Sequence, residues 1–168
     1  VFAIKAAVLP LHFWLPASYA NAPLPVAALF AIMTKVGAYS VLRVYSLAFG
    51  DTAGDMAWLA QPYILPAALI TLVLGMTGVL AAKRLNSLIA FSVIGSMGTL
   101  LIAIGLFTPE SISAGLYYLL HSTFSAAALF LIADLVVSRR GQYGDSLHTA
   151  PRFHQSGFLA VLFFVGAI

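Results

Sequence analysis

The 168-residue chain is 62% hydrophobic and only 8% charged, with a net charge of +3 and no cysteine. Soluble domains carry about 25% charged residues, so these charges are too few to cover a soluble surface. The lack of cysteine excludes disulfides and thiol chemistry, and the small positive charge disfavours nucleic acid as a partner. Long apolar runs, rather than the alternation typical of a barrel, predict an all-α integral membrane protein in contact with the lipid bilayer.

Apolar runs long enough to cross a bilayer recur along the chain, since a spanning helix needs about 20 residues. We predict a multi-span helical bundle with spans at 1–19, 25–47, 62–82, 88–107, 112–137 and 157–168. A polar loop, 138–156, separates the last two spans. The first and last spans are short and the chain starts without methionine, so we expect an internal piece of a longer membrane protein.

Prolines interrupt the first predicted span. Pro10 removes a backbone donor and clashes one turn back, so the helix is expected to break between Val8 and His12. Pro16 then ends the helix or sets a second short piece. Because a bilayer tolerates broken helices only inside protein or beside water, this span is expected to be a broken transmembrane helix with a functional role.

The charges in the connections predict the topology, because excess Lys and Arg marks the cytoplasmic side. The connections after the third and fifth spans share a basic character: Lys83, Arg84, Arg139, Arg140 and Arg152. The opposite connections are mainly acidic: Arg43, Asp51, Asp55 and Glu110. This bias agrees with strict alternation of the spans and makes the loop 138–156 cytoplasmic.

Lys35 is the most costly ionisable residue within the predicted spans. It lies near the middle of the second span, where a lysine costs roughly 2.5–3.5 kcal/mol on insertion scales and is too deep to snorkel to an interface. One interpretation is a structural lysine paired with a carboxylate elsewhere. The favoured interpretation is a site that loses and regains a proton, because apolar surroundings destabilise the charged form of a lysine.

Four further ionisable residues lie within the predicted spans: Lys5, His12, His121 and Asp134. Lys5 precedes the expected break, where free backbone groups can hold water or polarise a charge; the alternative is a lysine at a span end. His121 lies at mid-span and is interpreted as a proton relay rather than a hydrogen-bonded structural residue. His12 is interpreted as a supporting residue that orients the local turn, and Asp134 as an anchor paired with a nearby arginine.

Three serines are predicted as supporting polar residues: Ser92, Ser96 and Ser122. Ser92 and Ser96 share a helix face and Ser122 follows His121, so they could hold water. Small residues in a packed helix interface explain Ser92 and Ser96 equally well.

Motifs of intramembrane enzymes are missing from the sequence. It contains no HExxH, residues 95–98 read GSMG rather than GxSG, and residues 141–145 read GQYGD without the GxGD pattern. His148 and His154 lack metal-ligand spacing, and no glycine loop suits a phosphate. The sequence therefore predicts no catalytic residue, no metal site and no cofactor.

Several segments stand in an order that resembles a known family. They are KAAVLPLHFWLP at 5–16, KVGAYSVLR at 35–43, KRLNSLIAFS at 83–92, and the pairs LH at 120–121 and LF at 129–130. This order resembles the proton-translocating antiporter-like subunits, which include large membrane subunits of complex I and the A and D subunits of multi-subunit Mrp antiporters. Complex I subunits usually read WLPDAH where this chain reads WLPASY, so it looks more like the D subunit of an antiporter.

The resemblance implies a fold of fourteen helices with inverted repeats, in which the six predicted spans are the seventh to twelfth helices. It implies a proton path along a polar axis from Lys5 to Lys35 to His121, with Lys5 paired to a glutamate on an earlier helix. The expected function is proton translocation in a Na⁺(K⁺)/H⁺ antiporter of the bacterial cell membrane, beside other antiporter subunits. The alternatives are a pumping subunit of complex I or a membrane-bound hydrogenase, and a non-conducting scaffold.

Overall fold

The computed structural model is a bundle of helices and describes residues 2–50, 54, 60–151 and 153–167. In chain order the helices are α1 (Phe2–Lys5), α2 (Trp14–Asn21), α3 (Leu24–Ala48), α4 (Gln61–Ala81), α5 (Leu85–Gly105), α6 (Pro109–Arg140) and α7 (Ser156–Ala167). A 3₁₀ turn, Gly141–Tyr143, follows α6. Within these residues, four helices (α3 to α6) are long and apolar enough to cross a membrane. The predicted all-α membrane fold is confirmed.

The first predicted span consists of two short helices, α1 and α2, joined by turns. Pro10 lies within these turns, so the predicted break is confirmed. Pro16 lies in the first turn of α2, where the N–H that proline lacks would have no helical acceptor. Proline chemistry thus accounts both for the break and for the start of the second piece.

Helix α1 ends in a tight reversal of the backbone. The Val8 N–H donates to the Ala3 carbonyl and the Ala7 N–H donates to the Ile4 carbonyl, each at 3.0 Å. This pair of bonds is a Schellman motif, and Ala7 has the left-handed φ of +49° that the motif requires. Glycine is the usual residue there, because a Cβ is crowded in that conformation. The chain therefore accepts local backbone strain to end α1 at Lys5.

Helix α6 starts and ends about three residues outside the predicted 112–137. At its start, the Thr108 hydroxyl accepts the Ser111 N–H at 3.2 Å and the Ser111 hydroxyl accepts the Thr108 N–H at 3.1 Å. This capping box satisfies amides that helical bonds leave unpaired. Arg139 and Arg140 lie in the last turn, where positive charge opposes the helix dipole. Charge and capping therefore extend α6 beyond its apolar run.

Helix α5 is the centre of the bundle. In its most apolar stretch of 18 residues, 61% of the residues are buried, against 17% in the corresponding stretch of α4. The two helices pack closely through glycines: a methyl group on Gly75 would collide with the Gly95 backbone, and one on Gly98 with the Leu72 backbone. Helices α3 and α6 pack on α5 and on each other. Small residues allow this close approach of α4 and α5.

The loop after α6 folds back onto the connection between α4 and α5. The Leu85 N–H donates to the Asp145 carbonyl at 2.7 Å and the Leu147 N–H to the Lys83 carbonyl at 3.1 Å. The Arg84 guanidinium pairs with the Asp145 carboxylate at 2.8 Å. Both connections therefore lie at one end of the bundle. Three charged residues used in the topology prediction lie outside the described residues: Asp51, Asp55 and Arg152.

Candidate functional site

Lys35 is a buried lysine near the middle of α3, with 1% of its surface exposed. Its Nζ donates to the Ser96 Oγ on α5 at 2.5 Å, and the Ser96 hydroxyl donates to the Val93 carbonyl at 2.8 Å. A hydroxyl can accept and donate at once, so Ser96 links the lysine to the backbone of α5. Among the residues that the structure describes, no carboxylate lies within ion-pair distance of Lys35.

A cavity of about 350 Å³ lies beside Ser96, with walls from α4, α5, α6 and α7. Its polar lining comes from α5 and α6: Ser92, Ser96, Tyr118, His121, Ser122 and Ser125. The rest of the wall is mainly apolar. The cavity is large enough for several water molecules, since each occupies roughly 30 Å³ in the liquid. The predicted serines and His121 therefore meet at one cavity, which Lys35 reaches through Ser96.

The serines that line this cavity keep lone pairs that can accept a hydrogen bond. The Ser92 hydroxyl donates to the Ile89 carbonyl at 2.7 Å, and the Ser122 hydroxyl donates to the Leu119 carbonyl at 3.4 Å. Each hydroxyl thus directs its one proton to its own helix. Their oxygens then suit a donor within the cavity, such as water.

His121 lines the cavity from α6 and is exposed at the surface of this chain. Its ring centroid lies 6.5 Å from that of Tyr118, one helical turn earlier. Within the described part of the chain, no hydrogen bond to the imidazole is formed. The imidazole therefore borders the cavity and is also exposed at the surface of this chain.

Lys5 lies at a different cavity. It is the last residue of α1, its side chain is exposed, and it lines a space of about 480 Å³ together with Trp14, Tyr19 and Thr34. A cation at a helix C-terminus is stabilised by the carbonyl ends. The structure thus brings Lys35, Ser96 and the His121 cavity together, whereas Lys5 lines a second cavity beside α3.

His12 lies among the turns between α1 and α2. Its carbonyl accepts the Leu15 N–H at 3.0 Å, whereas its buried Nδ1 has no hydrogen-bond partner within the residues described. The His12 backbone is thus part of the turn, and the supporting role of its imidazole stays a prediction.

The end of α1 lies directly on α3 at Gly37. A Cβ on Gly37 would stand 2.8 Å from the Ala6 nitrogen and 2.9 Å from the Lys5 carbonyl carbon. Real Cβ atoms do not approach backbone this closely, so only glycine lets Lys5 come this near to α3. Gly37 is two residues from Lys35, and the two lysines are thereby placed along the same stretch of α3.

Three polar residues were not predicted from the sequence: Tyr118 and Ser125, which line the cavity, and Thr71, which bonds to the break. Tyr118 precedes His121 by three residues, a spacing that places both on one helix face, so a usable signal was present. Thr71 accepts the Leu9 N–H at 3.1 Å across 62 residues of sequence, and no local pattern marks it. The arginine partner predicted for Asp134 is not found within the described residues, where the ion pair joins Arg84 to Asp145.

The apolar helices, the break and the buried polar site define a multi-span membrane protein with polar and ionisable side chains inside its bundle. The family model described as NADH:quinone oxidoreductase/Mrp antiporter, TM, matches residues 1–168. The chain belongs to this family, and the resemblance found in its sequence is confirmed.

Two curated relatives are antiporter subunits. The probable K⁺/H⁺ antiporter D subunit of Rhizobium meliloti (strain 1021) is 40% identical over 146 residues, which are 87% of this chain and 27% of that protein. The Na⁺/H⁺ antiporter D subunit of Bacillus subtilis (strain 168) is 36% identical over 174 residues, covering 100% of this chain and 33% of that protein. The chain thus spans a third or less of the length of these relatives.

Two solved structures share the fold. A chain in the Mrp complex from Dietzia sp. DQ12-45-1b matches with a TM-score of 0.82 and 29% identity, over 99% of this chain and 30% of that one. A chain of the membrane-bound sulfane sulfur reductase, an archaeal respiratory membrane complex, matches with a TM-score of 0.87 and 24% identity, over 99% and 34%. The second likeness shows the fold alone.

Proposed function

We propose that this chain is part of the proton-translocating subunit of a multi-subunit Na⁺(K⁺)/H⁺ antiporter. The observation that carries the proposal is the 2.5 Å bond from the Lys35 Nζ to the Ser96 Oγ, at the edge of a cavity that His121 also lines. The names of the relatives as antiporter D subunits support the exchange of a monovalent cation for protons.

Lys35 is the proposed proton carrier of α3. A protonated lysine has three donors, of which Ser96 accepts one. Since the charge is held away from bulk water, its protonation responds strongly to any nearby charge. A second positive charge on Lys5 would disfavour the charge on Lys35, so the two lysines would exchange protons in turn rather than hold them together.

Between Lys35 and His121 the proposed path crosses the cavity. Ser96 accepts from Lys35 at its edge, and the oxygens of Ser92 and Ser122 can accept from water inside it. Bridging water links polar groups that lie beyond direct hydrogen-bond reach. His121 would then take up and release the proton, because its two ring nitrogens can donate and accept hydrogen bonds.

Lys5 is the proposed neighbour of Lys35 on the path, held at the end of the broken helix by the close contact with Gly37. By family resemblance, its partner is a glutamate on an earlier helix. The subunit is proposed to act beside other antiporter subunits in the cytoplasmic membrane of a bacterium, with the loop 138–156 on the cytoplasmic side, and to catalyse no reaction of its own.

The test is Lys35→Ala in the full-length subunit, expressed with the rest of its complex. We expect cation-dependent dequenching of a pH dye in membrane vesicles to be abolished, with Na⁺ and K⁺ added separately. Lys83→Ala is the matched control, because Lys83 is exposed in the connection between α4 and α5. Copurification of the subunits checks assembly.

Unchanged antiport in the Lys35→Ala complex overturns the proposal, and it is the result that a non-conducting scaffold predicts. A dye response that needs NADH rather than a cation gradient contradicts it in another way. That response would identify a redox-driven pump of the complex I kind.

A further inference from the structure

Helix α4 carries no acidic or basic side chain, yet it contacts both the break after α1 and helix α5, which carries Ser96. Most of its surface is exposed in this chain. Thr71 is an exception, with 0% of its surface exposed. A buried hydroxyl on a largely apolar, outward-facing helix requires an explanation, because such a group is costly unless it is hydrogen-bonded.

The Thr71 hydroxyl forms a hydrogen bond with the backbone of the break between α1 and α2. It donates to the Ala67 carbonyl at 2.7 Å within α4, and it accepts the Leu9 N–H at 3.1 Å. Leu9 lies among the turns, where its amide has no helical acceptor. In a membrane bundle such an amide must find a partner inside the protein. Thr71 supplies that partner from a different helix.

The same region of α4 is locked to α5. Leu72, the residue after Thr71, lies against Gly98, and Gly75 lies against Gly95, with backbone contacts too close for a side chain on Gly98 or Gly75. Ser96, which accepts from Lys35, is the residue after Gly95. One stretch of α4 therefore touches the break on one side and the Ser96 segment of α5 on the other.

We propose that Thr71 is a positioning residue that fixes the broken helix, and Lys5 with it, relative to the Lys35–Ser96 pair. This inference rests on the proposed roles of the two lysines. Valine at position 71 keeps the shape of threonine but cannot accept a hydrogen bond, whereas serine keeps the acceptor. We expect antiport to depend on the hydrogen-bond acceptor at position 71 and not on how the side chain packs there.

The experiment compares Thr71→Val with Thr71→Ser in the full complex. Thr77→Val is the matched control, because Thr77 is exposed on α4 and its hydroxyl donates only within that helix, to the Leu74 carbonyl at 3.0 Å. We expect Thr71→Val to lose most of its antiport and to exchange the Leu9 amide about tenfold faster by hydrogen-exchange mass spectrometry. Thr71→Ser and Thr77→Val should resemble the unaltered complex in both measurements.

Unaltered antiport or unaltered Leu9 exchange in Thr71→Val overturns the inference. Poor assembly of both Thr71→Val and Thr71→Ala also overturns it, since Thr71 would then be needed for folding rather than for positioning. Lys35→Ala separates the two proposals: if it abolishes antiport while Thr71→Val does not, only the positioning role fails. If Lys35→Ala retains antiport, the proposed function fails whatever Thr71→Val does.

Discussion

The two lysines of the proposed path occupy opposite kinds of surroundings. Lys35 is buried, and its Nζ finds an acceptor on Ser96. Lys5 is exposed at the end of a four-residue helix, and within the described residues its ammonium makes no hydrogen bond. What this chain supplies for Lys5 is the position of its backbone, through Gly37 and the Thr71 anchor at Leu9.

This difference shows that the two sites are stabilised by different means. The position of the Lys35 ammonium depends on a side-chain partner, Ser96, so removing the Ser96 hydroxyl should displace that ammonium directly. The position of Lys5 depends on how the broken helix packs on α3 and α4. Changes in these backbone contacts should therefore displace Lys5 without any substitution of its own side chain. Two substitutions, one for each lysine, test this contrast.

Gly37→Ala should have the larger effect, because it acts on the Lys5 side through backbone that cannot move easily. The new methyl group would stand 2.8 Å from the Ala6 nitrogen, and overpacking of this kind costs about 1–3 kcal/mol. We expect α1 to be displaced from α3, antiport to be abolished in vesicles and the purified complex to melt at a lower temperature.

Gly157→Ala is the control for the glycine change, since an added Cβ there meets nothing within 4 Å. Normal antiport in Gly37→Ala would show that the close approach of Lys5 to α3 is irrelevant to transport. The contrast between the lysines would then lose its functional meaning.

Ser96→Ala should have the smaller effect, on the Lys35 side. It removes the acceptor of the Lys35 Nζ, and an unpaired buried group costs about 1–3 kcal/mol. Because cavity water can replace part of the lost bond, we expect antiport in vesicles to fall about tenfold rather than to vanish. Ser46→Ala is the control, since the exposed Ser46 hydroxyl donates within its helix to the Arg43 carbonyl at 3.2 Å. An equal loss of antiport in Ser96→Ala and Ser46→Ala would show that Ser96 has no specific role in transport.

The fold could be largely predicted because its signals are local. Apolar runs gave the four long helices to within three residues at each end, and Pro10 gave the break. The capping box at Thr108 and the arginines that extend α6 are also local, but they lie outside the apolar run on which the span prediction rested. Capping by Thr108 and the charge of the last turn, together with the apolar run, thus set the ends of α6.

Most of the polar residues of the candidate site could be predicted from the sequence, but the hydrogen bonds between residues far apart in the chain could not. Lys35 and His121 could be recognised because an ionisable side chain is energetically costly within an apolar span. The partner of Lys35 lies 61 residues away and that of Leu9 lies 62 residues away. Such pairs depend on how helices pack in three dimensions, so no spacing in the sequence could select Ser96 from the other serines or mark Thr71.

The central claim is that protons pass from Lys35 to His121 through the cavity, and the most direct test is to fill that cavity. Ser125 lines it from α6, whereas Ser113 lies exposed near the start of the same helix. Proton uptake is measured in proteoliposomes that contain the full complex with Ser125→Trp or, as control, Ser113→Trp. We predict that Ser125→Trp abolishes cation-driven proton flux and that Ser113→Trp preserves it. Flux at the unaltered rate through an assembled Ser125→Trp complex would contradict the claim.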